Sequence, residues 1–354
     1  MTFLTSPRFG HLFSLAVAVF LLASASSASA QVDLFIWQPT PQHARLILPR
    51  VAQESAQASI ARYLKSVNSF PDMVDFFKGP LELPLGQVTQ FQEDPGLRVF
   101  ILANDAKDLS DSPARIQNLS KLFFGNQASD VLVVPIVADA GLSQVQKTEF
   151  REKVATSAEL VLALGGEDIV PEILGQINNF SVANHPTRDR SEALLLRTVL
   201  NKRRAFVAGI CRGHQLVLSL LSRKYKLVQD LQTQLSVDGH RQGFHDVNIN
   251  PESAMIDFLP FLPEGQVNTL HHQGFYQLPE SGPVEVVATD HNGIVEGTVF
   301  KNDLGMTFQF HPELMKGAVA NQFASLLMGG AQRAQTRNRQ NSSLQFANSC
   351  RTLF

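Results

Sequence analysis

The chain has 354 residues, 44% of them hydrophobic, enough for one large domain or two ordinary ones with a core of normal size. Its 30 basic and 32 acidic side chains leave a net charge of −2, which offers no electrostatic footprint for nucleic acid or for an anionic membrane surface.

Residues 1–30 contain no Asp or Glu, and Arg8 precedes the apolar run LFSLAVAVFLLA (12–23). That run has the length of a signal-peptide core and is short for a bilayer span. The small residues SASA (27–30) put the cleavage after Ala30, and no cysteine follows for lipid attachment. An uncleaved anchor is the competing reading. The expectation is an exported protein, periplasmic or secreted after signal-peptide removal, with no stable membrane insertion.

Residues 31–97 read as an N-terminal extension, partly helical. In it HARLILPRVAQESAQASIARYLKSV (43–67) has Leu46, Leu48, Val51, Ile60, Leu64 and Val67 loosely on helical spacing, and FKGPLELPLGQ (77–87) interrupts. From residue 98 the rhythm changes. RVFILAN (98–104), DVLVVPIV (130–137), ELVLALGG (159–166) and AFVAGIC (205–211) read as buried strands. ARIQNLSKLFF (114–124), SQVQKTEFREKVAT (143–156) and DRSEALLLRTVLNKR (189–203) read as the helices between them. Continuous apolar strands alternating with helices predict an α/β, flavodoxin-like three-layer sandwich around a mostly parallel central sheet. The main domain is set at 98–332, and 333–354 reads as a poorly ordered polar tail.

In such sheets, sites form at the carboxyl ends of strands. One strand end carries Gly165, Gly166, Glu167 and Asp168; another carries Cys211, Arg212, Gly213 and His214. AFVAGI runs almost directly into the amphipathic GHQLVLSLLSR (213–223), so Cys211 sits on a sharp strand-to-helix turn beside the positive end of a helix, where a thiol gains reactivity. The pattern G-x-C-x-G is the cysteine counterpart of the G-x-S-x-G turn. Two other readings stay open: a buried structural thiol, and a disulfide to Cys350, the only other cysteine. A thiol nucleophile needs a base and an orienting partner. In GMTFQFHPEL (305–314) a short strand ends at His311, and Glu313 lies two residues on, on the same side of an extended chain.

GICRGHQ followed by FQFHPE resembles the class I glutamine amidotransferase-like fold, and more narrowly the gamma-glutamyl hydrolase-like cysteine peptidases, whose bacterial members cleave gamma-glutamyl amides of small amines. The resemblance covers about 98–330. It includes LALGGEDIVPEIL (162–174), TRDRSEALLLRTVL (187–200), VNTLHHQGF (267–275) and VVATDHNGIVEGTV (286–299), in the family's order. Leu164 stands where the family often has Pro, and Thr269 where Ser is usual; neither change removes a catalytic group.

The resemblance implies roles. Cys211 would be the nucleophile, His311 the acid and base, and Glu313 its orienter. The backbone N–H groups of Gly166 and Arg212 would form the oxyanion hole, and Gln215, His271 and Gln273 would line the glutamyl pocket. No cofactor is implied. His214 receives no role, His291 reads as a turn residue, and Arg188, Asp189 and Glu192 read as support for a helix start. His240, His245, His271 and His272 fit no standard ligand spacing, so no metal is expected. The implied activity is an exported gamma-glutamyl hydrolase acting on a small gamma-glutamyl substrate. The alternatives are a catalytically silent binding or scaffold protein on the same fold, and a glutaminase-type amidotransferase subunit. The amine portion of the substrate and the oligomeric state are not legible.

Overall fold

The computed structural model describes residues 31–92, 96–103, 113–182, 185–253, 260–262, 265–315 and 317–351, without the side chains of 113–114 and 343–351. The expected signal segment and the Cys350 side chain fall outside the described residues. The strands are β1 (Val32–Gln38), β2 (Leu46–Val51), β3 (Gln87–Gln90), β4 (Arg98–Ala103), β5 (Asp130–Pro135), β6 (Leu160–Ala163), β7 (Phe206–Ile210), β8 (Gly243–Asp246), β9 (Asn248–Ile249), β10 (Gln266–Thr269), β11 (Val284–Thr289), β12 (Val295–Phe300) and β13 (Gly305–Phe308). The helices are α1 (Ala56–Val67), α2 (Pro71–Phe76), α3 (Pro113–Gly125), α4 (Gln144–Ser157), α5 (Pro186–Lys202), α6 (Arg212–Leu221), α7 (Leu231–Leu235) and α8 (Ala318–Arg351).

Eleven strands form one sheet in the order β3-β1-β2-β5-β4-β6-β7-β13-β12-β11-β9. Its centre, from β2 to β13, is parallel. Both margins are antiparallel. β8 and β10 form a separate antiparallel ribbon. Every residue of β4, β6 and β7 is buried, as continuous apolar strands require when both sheet faces are covered. β7 makes the covering visible. The Phe206 ring lies against Gly330 of α8, where an added Cβ would come within 2.5 Å of it. Gly209, three residues on and therefore on the other face, closes on Gly213 of α6; a Cβ at Gly209 would lie 2.7 Å from the Gly213 carbonyl oxygen. The fold is an α/β three-layer sandwich with a mostly parallel central sheet.

Two expectations need correction. Residues 46–51 are not helix: Leu46, Ile47 and Leu48 are buried in β2, which pairs with β1 along its length and meets β5 at Leu46–Val133. The helix begins at Ala56, after Ser55 caps it by accepting from the Ala58 N–H. The leucines that suggested helical spacing straddle that boundary. Nor is 333–351 a loose tail. α8 continues to Arg351, and its polar side chains satisfy loop carbonyls. Gln335 donates to the carbonyl of Gly96, Arg337 to that of Arg203 and Asn338 to that of Arg204.

The strands from 31–97 join the same core as the rest. Trp37 on β1 is fully buried, and its Nε1 donates to the Leu85 carbonyl at 2.8 Å. Trp37→Ala is expected to cost about 3–5 kcal/mol of global stability. Urea unfolding followed by circular dichroism should show one transition at a lower midpoint; an early, separate transition would mean that β1–β3 form an independent unit.

Candidate active site

Cys211 bridges β7 and α6 with φ 51° and ψ −110°, a region that non-glycine residues enter at a cost of about 1–3 kcal/mol. Its N–H still bonds the Phe308 carbonyl at 2.7 Å, and its carbonyl accepts from the Gln215 N–H. The turn is thus the last rung of the β7–β13 ladder and the first of the helix. Two glycines permit it: Gly209 closes on Gly213, and a Cβ at Gly213 would collide with the Ala163 carbonyl of β6. Cys211 is 5% exposed and free of disulfide.

His311 and Glu313 follow β13, beside β7. Pro312–Leu314 is a short 3-10 turn rather than the extended chain expected, yet the pairing forms. His311 Nδ1–H donates to Glu313 Oε1 at 2.9 Å, and the ring shares a hydrogen bond with the Cys211 sulfur. Burial alone would lower the His311 pKa. The Glu313 carboxylate and the Cys211 sulfur outweigh it, and the value is pushed up to about 10. The imidazolium is therefore the resting form at neutral pH.

Glu313 itself is buried, which would raise its pKa, but His311 and Arg115 hold it below the usual carboxylate range. Arg115 of α3 donates from Nη2 to Glu313 Oε1 at 2.8 Å. Sequence reasoning missed Arg115, and no local signal marks it, because it lies 198 residues from its partner. It also missed Asn268. That side chain holds both backbone groups of His311, donating to its carbonyl at 2.9 Å and accepting from its N–H at 2.8 Å. Gly165 leaves room for the ring: a Cβ there would sit 2.7 Å from His311 Cε1 and 3.2 Å from Cys211 Cβ.

A cleft with about 250 Å³ of empty volume opens beside the cysteine. Gly166, Arg212, Gln215, His271 and Gln273 all line it, so every expected oxyanion and pocket residue reaches one place. Their duties differ. Gln215 Nε2 is committed to the Gln273 carbonyl at 3.1 Å and to Gln309 Oε1 at 3.3 Å. The Gln273 side-chain amide is buried with no partner among the described residues, which leaves it for a ligand. Asp168 and His272 line the same cleft as an ion pair at 2.9 Å, and hydrogen bonding to Asp168 raises the His272 pKa.

Behind the turn lies a buried network of two arginines and two acids. Arg212 pairs with Asp189 and Glu192, and Arg188 pairs with Asp189 at 2.7 Å. Asp189 also accepts from the Val170 N–H, and Arg188 donates to the Asp168 carbonyl. The group thus ties α5, the turn and the Gly165–Gly166 loop together; Arg188, Asp189 and Glu192 are structural, but they link separate elements rather than cap the start of α5, which has no side-chain cap bond. His214 is fully buried and neutral, its pKa lowered to about 3 by burial.

The histidines group differently from the sequence reading. Among the described residues His240, His245 and His271 converge, and the fourth member is Glu296 on β12. His272 stands apart, on Asp168 and Asp230. Spacing along the chain hid the group because its carboxylate comes from a different strand.

The model of the peptidase C26 family matches residues 126–313, more than half of the chain and inclusive of Cys211, His311 and Glu313. The chain belongs to the peptidase C26 family. It is a cysteine hydrolase-type enzyme. Among solved structures it is similar to a GMP synthase subunit from Thermoplasma acidophilum, at 13% identity and TM-score 0.47, over 70% of this chain and 98% of that one. It is also similar to the glutaminase domain of Trypanosoma brucei CTPS with bound acivicin, at 15% identity and TM-score 0.49, over 67% and 94%. A glutamine amidotransferase from Thermotoga maritima matches at 17% identity and TM-score 0.40, over 68% and 92%. No curated protein matches the chain.

In this C26 peptidase, Gly165→Ala should leave the fold intact and lower kcat by about 10²-fold, because it displaces His311 from Cys211. Wild-type unfolding midpoints with a wild-type kcat would refute the steric role. Glu313→Gln should lower the His311 pKa, since it removes the anion that raises it; an imidazole NMR titration reads this directly, and an unmoved titration would refute the pairing.

Proposed function

We propose that the protein is an exported gamma-glutamyl hydrolase that cleaves gamma-glutamyl amide bonds of small peptides or amines through a thioester. One observation carries this reading: a cysteine on a strained strand-to-helix turn is hydrogen-bonded to a histidine that a buried glutamate orients at 2.9 Å. The gamma-glutamyl preference draws on the chemistry of the cleft. A gamma-glutamyl head presents an ammonium and a carboxylate, and the cleft offers Asp168, His272, whose pKa is raised by its hydrogen bond to Asp168, and the Gln273 amide, unpartnered among the described residues.

Cys211 Sγ attacks the gamma-carbonyl carbon, and the carbonyl oxygen becomes an oxyanion facing the N–H groups of Gly166 and Arg212. Each such donor contributes about 3–4 kcal/mol to the transition state. Collapse breaks the C–N bond. The His311 imidazolium gives its proton to the departing amine, which leaves neutral imidazole and a thioester on Cys211. His311 then takes a proton from water as the hydroxide adds to the thioester. The second collapse frees the glutamyl acid and returns thiolate and imidazolium. Glu313 keeps Nδ1 protonated throughout, so Nε2 carries the transferred proton. The export part of the reading rests on the character of residues 1–30. Among the described residues no helix is long and apolar enough to cross a membrane.

Incubation of the mature protein with a panel of gamma-glutamyl amides, read by mass spectrometry, tests the reading. Amine release with a glutamyl adduct on Cys211, both lost in Cys211→Ala, is expected. Binding without release or adduct across the panel would instead identify a catalytically silent binding protein.

A further inference from the structure

His240, His245, His271 and Glu296 each aim one ligand atom at a common point, and all four atoms lie within 4.8 Å of one another. Glu296 is fully buried, and among the described residues neither carboxyl oxygen has a hydrogen-bond partner; His245 Nε2 has none there either. A buried carboxylate left in this way costs several kcal/mol unless a cation or a proton compensates it.

The other ring nitrogen of every histidine is already engaged. His271 Nδ1 bonds the Gln273 carbonyl at 2.9 Å, His245 Nδ1 the Asp246 carbonyl at 3.0 Å, and His240 Nε2 the Asp290 carboxylate at 3.2 Å. A carbonyl or a carboxylate can only accept, so those three nitrogens carry the protons. In neutral rings the three inward nitrogens, His271 Nε2, His245 Nε2 and His240 Nδ1, are then the lone-pair nitrogens. They face one another and a carboxylate, an arrangement that needs a cation, or a proton such as one shared between His240 Nδ1 and His271 Nε2, to hold it together. It is also the outer-shell pattern of metal-bound histidines, in which the far nitrogen donates to a carboxylate or a carbonyl.

The spacing discriminates further. Glu296 Oε1 lies 3.8 Å from His240 Nδ1, 3.5 Å from His245 Nε2 and 3.6 Å from His271 Nε2, and the His240 and His271 nitrogens are 3.4 Å apart. Donors 2.0–2.1 Å from a tetrahedral zinc ion are separated by about 3.3–3.4 Å. These four of the six separations match the edges of that tetrahedron, slightly expanded, and the remaining two lie within 4.8 Å.

We propose that His240 Nδ1, His245 Nε2, His271 Nε2 and Glu296 form a binding site for one divalent transition-metal ion, zinc by ligand set and size. The charges suit it. A dication meets the Glu296 carboxylate at the centre and the Asp290 carboxylate behind His240. The four donors close the coordination sphere, so the ion serves structure rather than catalysis. Cys211 and His311 are not among its ligands. Because His271 lines the substrate cleft, the ion fixes that wall and, through His271 Nδ1, the carbonyl of Gln273. The site does not depend on which amide the enzyme cleaves.

The mature protein, stripped with a chelator, is titrated with zinc against a chromophoric competitor, and with cobalt(II) as a spectroscopic probe. One equivalent of zinc, tetrahedral d–d bands from cobalt and a higher Tm with zinc are expected. Glu296→Gln and His245→Ala should each lose all three responses, Asp290→Asn should weaken affinity by about 10–100-fold, and Cys211→Ala should keep wild-type binding. Far-UV circular dichroism establishes that each variant is folded, and His245→Ala serves if Glu296→Gln is not. Substoichiometric zinc with no tetrahedral cobalt spectrum would overturn the proposal and leave the group as a proton-compensated network around a neutral Glu296. Binding lost in Cys211→Ala but kept in His245→Ala would overturn it by moving the ion to the thiolate.

Discussion

The backbone of Cys211 is held where a non-glycine residue does not rest of its own accord, and much of the molecule is arranged to hold it there. The turn must leave β7, present a side chain to the cleft and start α6 with no intervening loop. Gly209 and Gly213 remove the atoms that would block this. The buried set of Arg188, Asp189, Glu192 and Arg212 then fixes the first turn of α6 to α5. Two cations face two anions, yet the balance is uneven: burial pushes the Glu192 pKa up and the Arg188 pKa down. Burial pushes Asp189 up, but Arg212 and Arg188 bring it below the ordinary carboxylate range. Removing one member would strand the others, which makes the network costly to break even where its net gain is small.

Two buried glutamates near the cysteine show how surroundings divide one residue type into two roles. Glu313 faces Arg115 and His311, and it stays ionised despite burial. Glu296 is buried with Asp290 and Cys211 as its charged influences, and all three causes push its pKa up. The first works as a fixed anion that keeps His311 protonated. The second holds its charge only when something positive joins it. Neither behaviour follows from distance to the sulfur; both follow from which cations lie within reach.

The parallel centre of the sheet was legible because β4, β5, β6 and β7 are buried on both faces and read as unbroken apolar runs. The turn at Cys211 was legible because its parts are consecutive in the chain. β2 was not: Leu46, Ile47 and Leu48 are contiguous, and Pro49 argued against a helix running through, but the pattern resumed at Ile60 and masked the break. α8 hid its length because the polar stretch around Gln335, Arg337 and Asn338 bonds to carbonyls of distant loops rather than to an apolar face. The pocket residues Gln215, His271 and Gln273 were found, yet their division of labour was not. Which amide is spent on the protein and which is spare depends on Gln309, a residue on another element. Arg115, Asn268 and Glu296 are long-range partners, and no local pattern announces them.

The ribbon of β8 and β10 carries Asn268 and His245 and pairs only with itself. Its inner strand is nonetheless buried: Val267 and Thr269 are fully covered, and the Thr269 hydroxyl donates to the His240 carbonyl. The backbone of His311 is thus anchored by a strand outside the sheet that carries the nucleophile. The two halves of the catalytic pair are positioned by different pieces of the fold, so a substitution in the ribbon reaches the chemistry through His311 while leaving the Cys211 turn in place.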